Sequence, residues 1–165
     1  MFRFGKTDKD FLDTYASYSG SIQRTLKGIT GNDSVAEELT QDAFIKAWKA
    51  LPEFGFRSSL KTWIYQVALN VGRDWLRSHK VRNVEYSEEN FEESESSKQE
   101  QVDIQEALLE LEDDVREILV LFYFEGMKQE EISVILKVPS GTIKSRLHSA
   151  RTKLKELLLQ KGYDV

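Results

Sequence analysis

The chain has 165 residues, of which 40% are hydrophobic, and its formal net charge is −5. A chain of this length forms one mid-sized domain or two small ones. It has no cysteine and only two histidines, which excludes disulfides and thiolate zinc sites. No apolar run is as long as a membrane span, and the N-terminus lacks a signal-peptide pattern. We therefore expect a cytoplasmic protein without direct membrane insertion.

Helical periodicity in the first 82 residues predicts a three-helix domain, with helices over about 8–27, 35–51 and 59–79. Asn32, Asp33 and Ser34 are capping residues in front of the second helix, and Pro52 follows its end. A short aromatic loop, residues 53–58, precedes the third helix. The inward stripe of the first helix is expected to contain Phe11, Leu12, Tyr15, Ile22 and Leu26.

A strongly acidic segment follows this domain. Residues 83–105 contain one Lys and eight Asp or Glu, with few apolar side chains. Such a segment buries too little apolar surface to fold by itself. We therefore predict a flexible acidic linker over 83–103, between a first domain at 1–82 and a second at 104–165. The expected fold class is all-α, with two small helical domains.

The second domain is predicted to contain helices at about 104–111, 113–124 and 129–136, and a longer final helix. Gly126 ends one helical run. The pair Val138-Pro139 ends the next, because a residue before proline is disfavoured in the α region. Ser140 is expected to be the N-cap of the final helix. The last two helices and the turn between them predict a helix-turn-helix.

The final helix is apolar on one side and basic on the other, with an inward stripe of Ile143, Leu147, Ala150 and Leu154. Residues 137–161 carry seven Lys or Arg and one Glu, whereas residues 106–131 carry two Lys or Arg and nine Asp or Glu. This segregation favours a helix that enters the DNA major groove over an ordinary solvated surface. The small polar residues Thr142 and Ser145, near the helix start, suit contacts with base edges.

Two further segments have compositions that suit the binding of a partner. Residues 56–82 interleave Phe, Trp and Tyr with six Lys or Arg, a composition that suits unpaired nucleic acid. The predicted outer face of the second helix mixes carboxylates, an amide and apolar groups, which suits a protein partner. The alternative for Ile45 and Trp48 on that face is that both are core residues.

Three sequence blocks, in this order, resemble the bacterial extracytoplasmic-function sigma factors: AEELTQDAFIKAWKAL at 36–51, FRSSLKTWIYQVALNVGRDWLR at 56–77 and VPSGTIKSRL at 138–147. The resemblance covers nearly the whole chain outside the acidic linker. It implies a dissociable initiation subunit of RNA polymerase, with no catalytic residues, metal or cofactor of its own. The first domain would bind the polymerase core and help to open the minus-ten element. The second would bind the minus-thirty-five element.

The same resemblance assigns residues to each role. The core-polymerase face would comprise Glu38, Gln41, Asp42, Ile45 and Trp48. Leu60 and Asn70 match the positions that meet a flipped minus-ten base, and the other residues implied for that element are Arg57, Lys61, Arg73 and Arg77. The minus-thirty-five element would be bound by Ser140, Thr142, Lys144, Ser145, Arg146, His148, Ser149 and Arg151. The implied partners are RNA polymerase core, promoter DNA and an anti-sigma factor, with no small-molecule substrate.

Two other functions remain as alternatives. A helix-turn-helix transcriptional regulator that is not a polymerase subunit would use only the last two helices, and it would have no role for residues 34–82. A helical adaptor or an enzyme is a third possibility. The sequence offers no Ser/His/Asp or Cys/His set, and its carboxylate clusters occupy solvating positions, so we expect the protein not to be an enzyme.

Overall fold

The computed structural model describes residues 6–80 and 95–165, and all regular structure in these ranges is helical. A short 3-10 turn (Leu51–Glu53) and a π-helical turn (Val120–Phe124) accompany the α-helices. The all-α class is therefore confirmed. In chain order the helices are α1 (Lys6–Thr30), α2 (Asp33–Ala50), α3 (Leu60–Lys80), α4 (Glu95–Leu109), α5 (Asp113–Leu119), α6 (Gln129–Leu136) and α7 (Ser140–Gln160).

Helices α1, α2 and α3 pack on one another and form the N-terminal half. The inner face of α2 is made of small residues, since Ala36, Ala43 and Ala47 have no exposed surface. Small side chains let helix axes approach closely. Gly72 has the same effect on α3, because a Cβ atom there would lie 3.0 Å from Cδ2 of Leu26. The three helices thus form a tightly packed bundle.

Helices α4 to α7 form the C-terminal half, in which α7 packs against α4, α5 and α6. The predicted inward stripe of α7 is confirmed, since Ile143, Leu147 and Ala150 are buried and Leu154 is half-buried against the core. The two halves also contact each other, through α1 against the π-helical turn and α3 against α6. Gly28 permits the first of these contacts, because a Cβ atom there would lie 2.8 Å from Cγ2 of Val120.

Two of the predicted helix starts can be checked at their caps. The Asn32 side chain accepts a hydrogen bond from the Val35 backbone N–H at 3.0 Å, which confirms the cap of α2. The prediction for Ser140 is wrong, because Ser140 is the first helical residue and Pro139 occupies the N-cap position. Pro139 has the extended backbone that an N-cap requires, and its carbonyl accepts from Ile143 at 3.0 Å.

Two further expectations differ from the structure. Helix α4 begins at Glu95, so residues 95–103 of the predicted linker are helical, whereas residues 83–94 lie outside the described residues. Gln99 supports this first part of α4 by donating to Asp103 one turn later at 3.0 Å. Leu12 and Tyr15 are not inward, since they are 50% and 47% exposed. Phe11 takes the buried position, and an adjacent residue points about 100° away around the helix.

Arg116 on α5 is a buried charge that joins three helices. Its side chain is 5% exposed and donates to the backbone carbonyls of Leu108, Leu111 and Ile29 at 2.7, 2.8 and 3.1 Å. These carbonyls lie at or just after the C-terminal ends of α4 and α1, where backbone acceptors lack intrahelical partners. A cation is also favourable at these helix ends. Arg116 therefore caps two helices at once and fixes them to α5.

We expect Arg116→Met to lower the free energy of unfolding by about 3 kcal/mol or more, because it leaves several buried carbonyls without a donor. Arg77→Met is the matched control, since the Arg77 side chain is 74% exposed and should change stability by less than about 0.5 kcal/mol. Equilibrium urea unfolding followed by circular dichroism measures both values. Equal stability of the two variants would contradict the role given to Arg116.

Candidate nucleic-acid and polymerase interfaces

The outer surface of α7 presents a row of exposed polar and basic side chains. Lys144, Ser145, His148 and Ser149 follow one another at helical spacing, and all are exposed. Thr152, which the resemblance did not assign, is also exposed and extends the row by one turn. Ser140 and Thr142 are half-exposed at the N-terminal end of this surface. The face is thus continuous and free of large apolar groups.

Two cations flank this row and are held by other elements. Arg146 forms an ion pair with Asp114 of α5, with Nη1 and Oδ2 separated by 3.1 Å. Arg151 donates from Nε to the Tyr123 hydroxyl, and its guanidinium lies over the rings of Phe122 and Tyr123, at 5.2 and 5.6 Å from their centroids. These contacts position both side chains at the edge of the α7 surface. Periodicity alone does not reveal such contacts.

The outer face of α2 carries the five residues that the resemblance assigned to polymerase binding. Glu38, Gln41 and Asp42 are exposed, as are Ile45 and Trp48, whose exposed fractions are 51% and 40%. The alternative that Ile45 and Trp48 are core residues is therefore wrong. The face is a mixture of polar groups and exposed apolar surface.

Tyr15 of α1 adds to this face, and with Ile45 and Trp48 it forms what we call the apolar patch. The Tyr15 and Trp48 rings rest edge-on against Phe44 and Phe11, with centroids 4.7 and 5.1 Å apart. Between Tyr15, Phe44, Ile45 and Trp48 lies an open depression. Sequence reasoning missed this α1 contribution because it assigned Tyr15 to the core.

The six residues assigned to the minus-ten element are in different environments. Arg57 is exposed in the loop before α3, and Leu60 is half-buried at the helix start. Asn70 is exposed on α3 and its Oδ1 accepts from Nη1 of Arg73 at 3.2 Å. Arg77 is exposed and forms an ion pair with Asp74. All six are open to solvent at least in part, but Lys61 and Arg73 also contact the C-terminal half.

Lys61 and Arg73 are paired with carboxylates of the C-terminal half. Arg73 donates from Nε and Nη2 to the two oxygens of Glu117, at 2.7 and 2.6 Å. The Glu117 side chain is only 2% exposed, and its hydrogen bond raises the pKa of Arg73 above the usual value. Lys61 pairs with Glu131 of α6. The two α3 cations nearest to α5 and α6 are therefore already neutralised within the chain.

A third carboxylate completes an acidic row, which we define as Glu117, Glu125 and Glu131. Glu125 lies 3.4 Å from Nη2 of Arg24 on α1, and its side chain is 4% exposed. Its other oxygen, Oε1, is buried and has no hydrogen-bond partner among the described residues. Burial, and to a smaller extent the charge of Glu125, raises the pKa of Tyr65 above its usual value. Each member of the row thus faces a cation of the N-terminal half.

The part of the chain that the structure describes has no group of three or more His, Asp or Glu side chains placed to hold a metal ion. Within the same residues, none of the helices combines the length and apolarity needed to cross a membrane.

Comparison with known proteins gives a consistent result. Residues 14–82 match the family Sigma-70 region 2, and residues 101–154 match the family Sigma-70, region 4. The ECF RNA polymerase sigma factor SigM of Bacillus subtilis is 33% identical over 153 residues, covering 88% of this chain and 93% of SigM. The probable RNA polymerase sigma factor RfaY of Xanthomonas campestris is 31% identical over 145 residues, but this chain spans only 36% of its length.

A solved structure is similar over nearly the whole chain. The sigma factor RpoE from Bartonella quintana, in complex with the anti-sigma factor NepR, has a TM-score of 0.74 at 27% identity and covers 91% of this chain and 97% of RpoE. The match to region 2 leaves no place for a regulator that uses only the terminal helix-turn-helix. The chain therefore belongs to the extracytoplasmic-function RNA polymerase sigma factors, the subunits that direct the polymerase to particular promoters.

Proposed function

We propose that this chain binds core RNA polymerase through α2 and the apolar patch, reads unpaired minus-ten DNA through α3 and the loop before it, and reads minus-thirty-five duplex through α7. The observation that carries the proposal is the presence of three chemically different exposed surfaces on one chain. In this scheme the N-terminal domain is 1–82 and the C-terminal domain starts at Glu95. The protein acts in the cytoplasm and makes or breaks no bond itself.

The composition of α7 supports its assignment to duplex DNA. A helix that lies in the major groove needs small or polar side chains toward the base edges and cations toward the phosphates. The exposed row of α7 supplies the former, and Lys144 within the row and Arg151 at its edge supply the latter. The buried stripe behind them packs the helix on α5 and α6, as in other helix-turn-helix units.

The acidic row supports a further step in the mechanism, which is separation of the two halves before DNA binds. Carboxylates paired with Lys61 and Arg73 occupy the positions that DNA phosphates need. The closed arrangement is therefore silent toward the minus-ten element, while the α7 surface stays exposed. Binding to polymerase favours the open form by engaging α2 and α7 at separate sites. An anti-sigma factor, like the NepR bound to the similar RpoE, would act on the same equilibrium.

Replacing Gln41 by Ala together with Asp42 by Arg should weaken binding to core polymerase by about tenfold or more, because it removes an amide and inverts a charge at the centre of the α2 face. Glu37→Arg is the matched control, since Glu37 is exposed on α2 but was not assigned to the interface. Fluorescence anisotropy of the labelled chain with purified core enzyme measures affinity, and circular dichroism checks the helix content. A normal affinity of the double variant would refute the assignment of this face.

Ser145→Glu should lower the affinity of the holoenzyme for a minus-thirty-five duplex by about tenfold, because it places a carboxylate against DNA. Binding to a premelted minus-ten template should not change. Asn70→Ala should affect the other element: it should lower open-complex formation and leave recognition of the minus-thirty-five duplex intact. Each variant is measured on templates in which only one element is altered. If Ser145→Glu affected only the minus-ten element, or Asn70→Ala only the minus-thirty-five element, the assignment of the two surfaces would be wrong.

Glu131→Arg should open the free chain, because it places two cations together where an ion pair stood. The absence of native cysteine allows spin labels at Glu37→Cys on α2 and Glu156→Cys on α7, both exposed sites. We expect the population with long label-to-label distances to rise about five- to tenfold. The charge swap of Lys61→Glu with Glu131→Lys should restore the short distance. Identical distance distributions in all three proteins would contradict the closing role of this pair.

A further inference from the structure

The chain turns back toward α4 directly after α7. Gly162, two residues beyond the end of the helix, has a positive φ of 92°. The backbone N–H of Tyr163 donates to the Leu158 carbonyl and that of Gly162 to the Leu159 carbonyl, both at 3.0 Å, which is a Schellman motif. A Cβ atom at Gly162 would meet nothing within 4 Å, so glycine is needed here for its backbone conformation and not for space.

Two side chains of this turn bind α4. The Tyr163 hydroxyl donates to Oδ2 of Asp103 at 2.6 Å, and Nζ of Lys161 donates to Oε2 of Glu106 at 2.9 Å. We call these four residues the clasp. The hydrogen bond to Asp103 raises the pKa of Tyr163 to about 12, so the hydroxyl keeps its proton. Asp103 and Glu106 are three residues apart on one face of α4, and the clasp joins that face to the end of α7.

The clasp acts on the part of α4 that the core does not hold. Among the α4 residues whose side chains the structure describes, the first buried one is Ala107. Residues 99–101 are exposed, and Asp103 also accepts from Gln99 one turn earlier at 3.0 Å. A short helical segment with so little buried surface is marginal in water. The hydrogen bonds of the clasp therefore help to keep residues 95–103 helical.

Separation of the halves makes the clasp more important. Gln105 of α4 donates to the Gly28 carbonyl on α1 at 3.2 Å, and this bond is lost when the halves separate. The clasp joins α4 to α7, which are both in the C-terminal half, so separation leaves it intact. In the open chain, the clasp is a remaining tie on the exposed part of α4.

The length of the connection between the halves depends on whether residues 95–103 are helical. As a helix these nine residues span about 14 Å, whereas as an extended chain they span about 30 Å. The difference of about 16 Å corresponds to roughly five base pairs of duplex DNA. Two linked DNA-binding units engage two sites together only when the connection spans the distance between them.

We propose that the clasp is a specificity determinant for promoter spacing: by keeping residues 95–103 helical, it restricts the polymerase to a narrow range of distances between the minus-ten and minus-thirty-five elements. The inference rests on the proposed function, in which the two halves read these two elements. Opening the clasp lengthens the connection by up to about 16 Å and widens the accepted range.

The clasp is separate from the surface that reads the duplex. Lys161 lies ten residues beyond Arg151, about 15 Å along the axis of α7. The match to region 4 ends at residue 154 and assigns no role to Lys161 or Tyr163. These two side chains act through α4, and they are positioning residues rather than DNA contacts.

The experiment uses the full chain, alone and in reconstituted holoenzyme. Lys161→Glu opens the clasp by placing a carboxylate beside Glu106, and the pair Lys161→Glu with Glu106→Lys closes it with the charges exchanged. Tyr163→Phe removes a single hydroxyl. Lys155→Glu is the matched control, because Lys155 is another exposed cation of α7 and the change in charge is the same.

Two readouts are measured. Hydrogen–deuterium exchange followed by mass spectrometry reports whether residues 95–103 are helical. Open-complex yield on a series of promoters, in which only the spacer between the two elements changes in length, reports the spacing preference. A merely structural role of the clasp would lower the yield at all spacings equally.

We expect amide exchange over 95–103 to become at least about threefold faster in Lys161→Glu and Tyr163→Phe, because each loses a hydrogen bond near a helix end. Exchange in the buried part of α7 should not change. On promoters with a spacer about three base pairs longer than the optimum, the yield relative to the optimum should rise at least roughly fivefold. Lys155→Glu and the exchanged pair should keep the wild-type preference.

The other outcomes overturn the inference in distinguishable ways. If exchange over 95–103 is unchanged in the variants, the clasp does not hold this part of α4. If exchange is faster but the spacing preference is the same, the clasp has no role in specificity and the proposed function stands. Rapid exchange over 95–103 in the wild-type holoenzyme would show that the clasp is already open there. If the wild-type holoenzyme depends on neither element, the proposed function fails, and the inference fails with it.

Discussion

Two adjacent buried charges on α5 determine how the halves of this chain meet. Arg116 donates to backbone carbonyls at the ends of α4 and α1, and Glu117 accepts the bidentate bond of Arg73 on α3. The two contacts differ in kind. The carbonyls of α4 belong to the same half as α5 and move with it, whereas the Arg73 guanidinium can exchange one anionic partner for another. Separation of the halves would therefore cost Arg116 its bond to Ile29 and would leave Glu117 without the Arg73 cation.

The formal charge of −5 is a sum over basic and acidic segments that have different roles. Basic surfaces on α3 and α7 suit a polyanion, while the acidic row faces α1 and α3. In the closed chain these charges largely cancel at the contact between the halves, and the α7 surface remains outside it. The buried Oε1 of Glu125 has no partner, so the contact is not optimised for permanence. A contact of this kind is better suited to a switch than to a permanent structural core.

Local patterns were sufficient to predict most of the fold. The buried stripe of α7 and the Asn32 cap depend on neighbours within a turn or two, and both are confirmed. The errors have tertiary causes. Leu12 and Tyr15 fit a broad apolar stripe, but α2 buries Phe11 and covers Tyr15 only in part, through Phe44. Residues 95–103 were judged by their charge, whereas Gln105 of the same helix donates to the Gly28 carbonyl on α1 at 3.2 Å.

The sequence predicted which residues form the candidate surfaces, but not which of their charges are already paired within the chain. Spacing placed Glu38, Gln41 and Asp42 on one face of α2, and resemblance selected Lys61 and Arg73 on α3. Neither source could reveal that the two cations are occupied by carboxylates 70 and 44 residues later in the chain. Phe56 was noted only as part of an aromatic block. Its exposure and its left-handed backbone become visible only in three dimensions.

The close approach at Gly28 has a genetic consequence. Any side chain at this position would collide with Val120, and even the methyl group of alanine would lie 2.8 Å from a Val120 carbon. The collision falls on the contact between the halves, outside the surfaces assigned to polymerase and promoter. A selection for strains in which the sigma factor is permanently active should therefore recover substitutions of Gly28. Under the proposed function, a single nucleotide change at this codon would disfavour the closed arrangement and leave the residues assigned to polymerase and promoter unchanged.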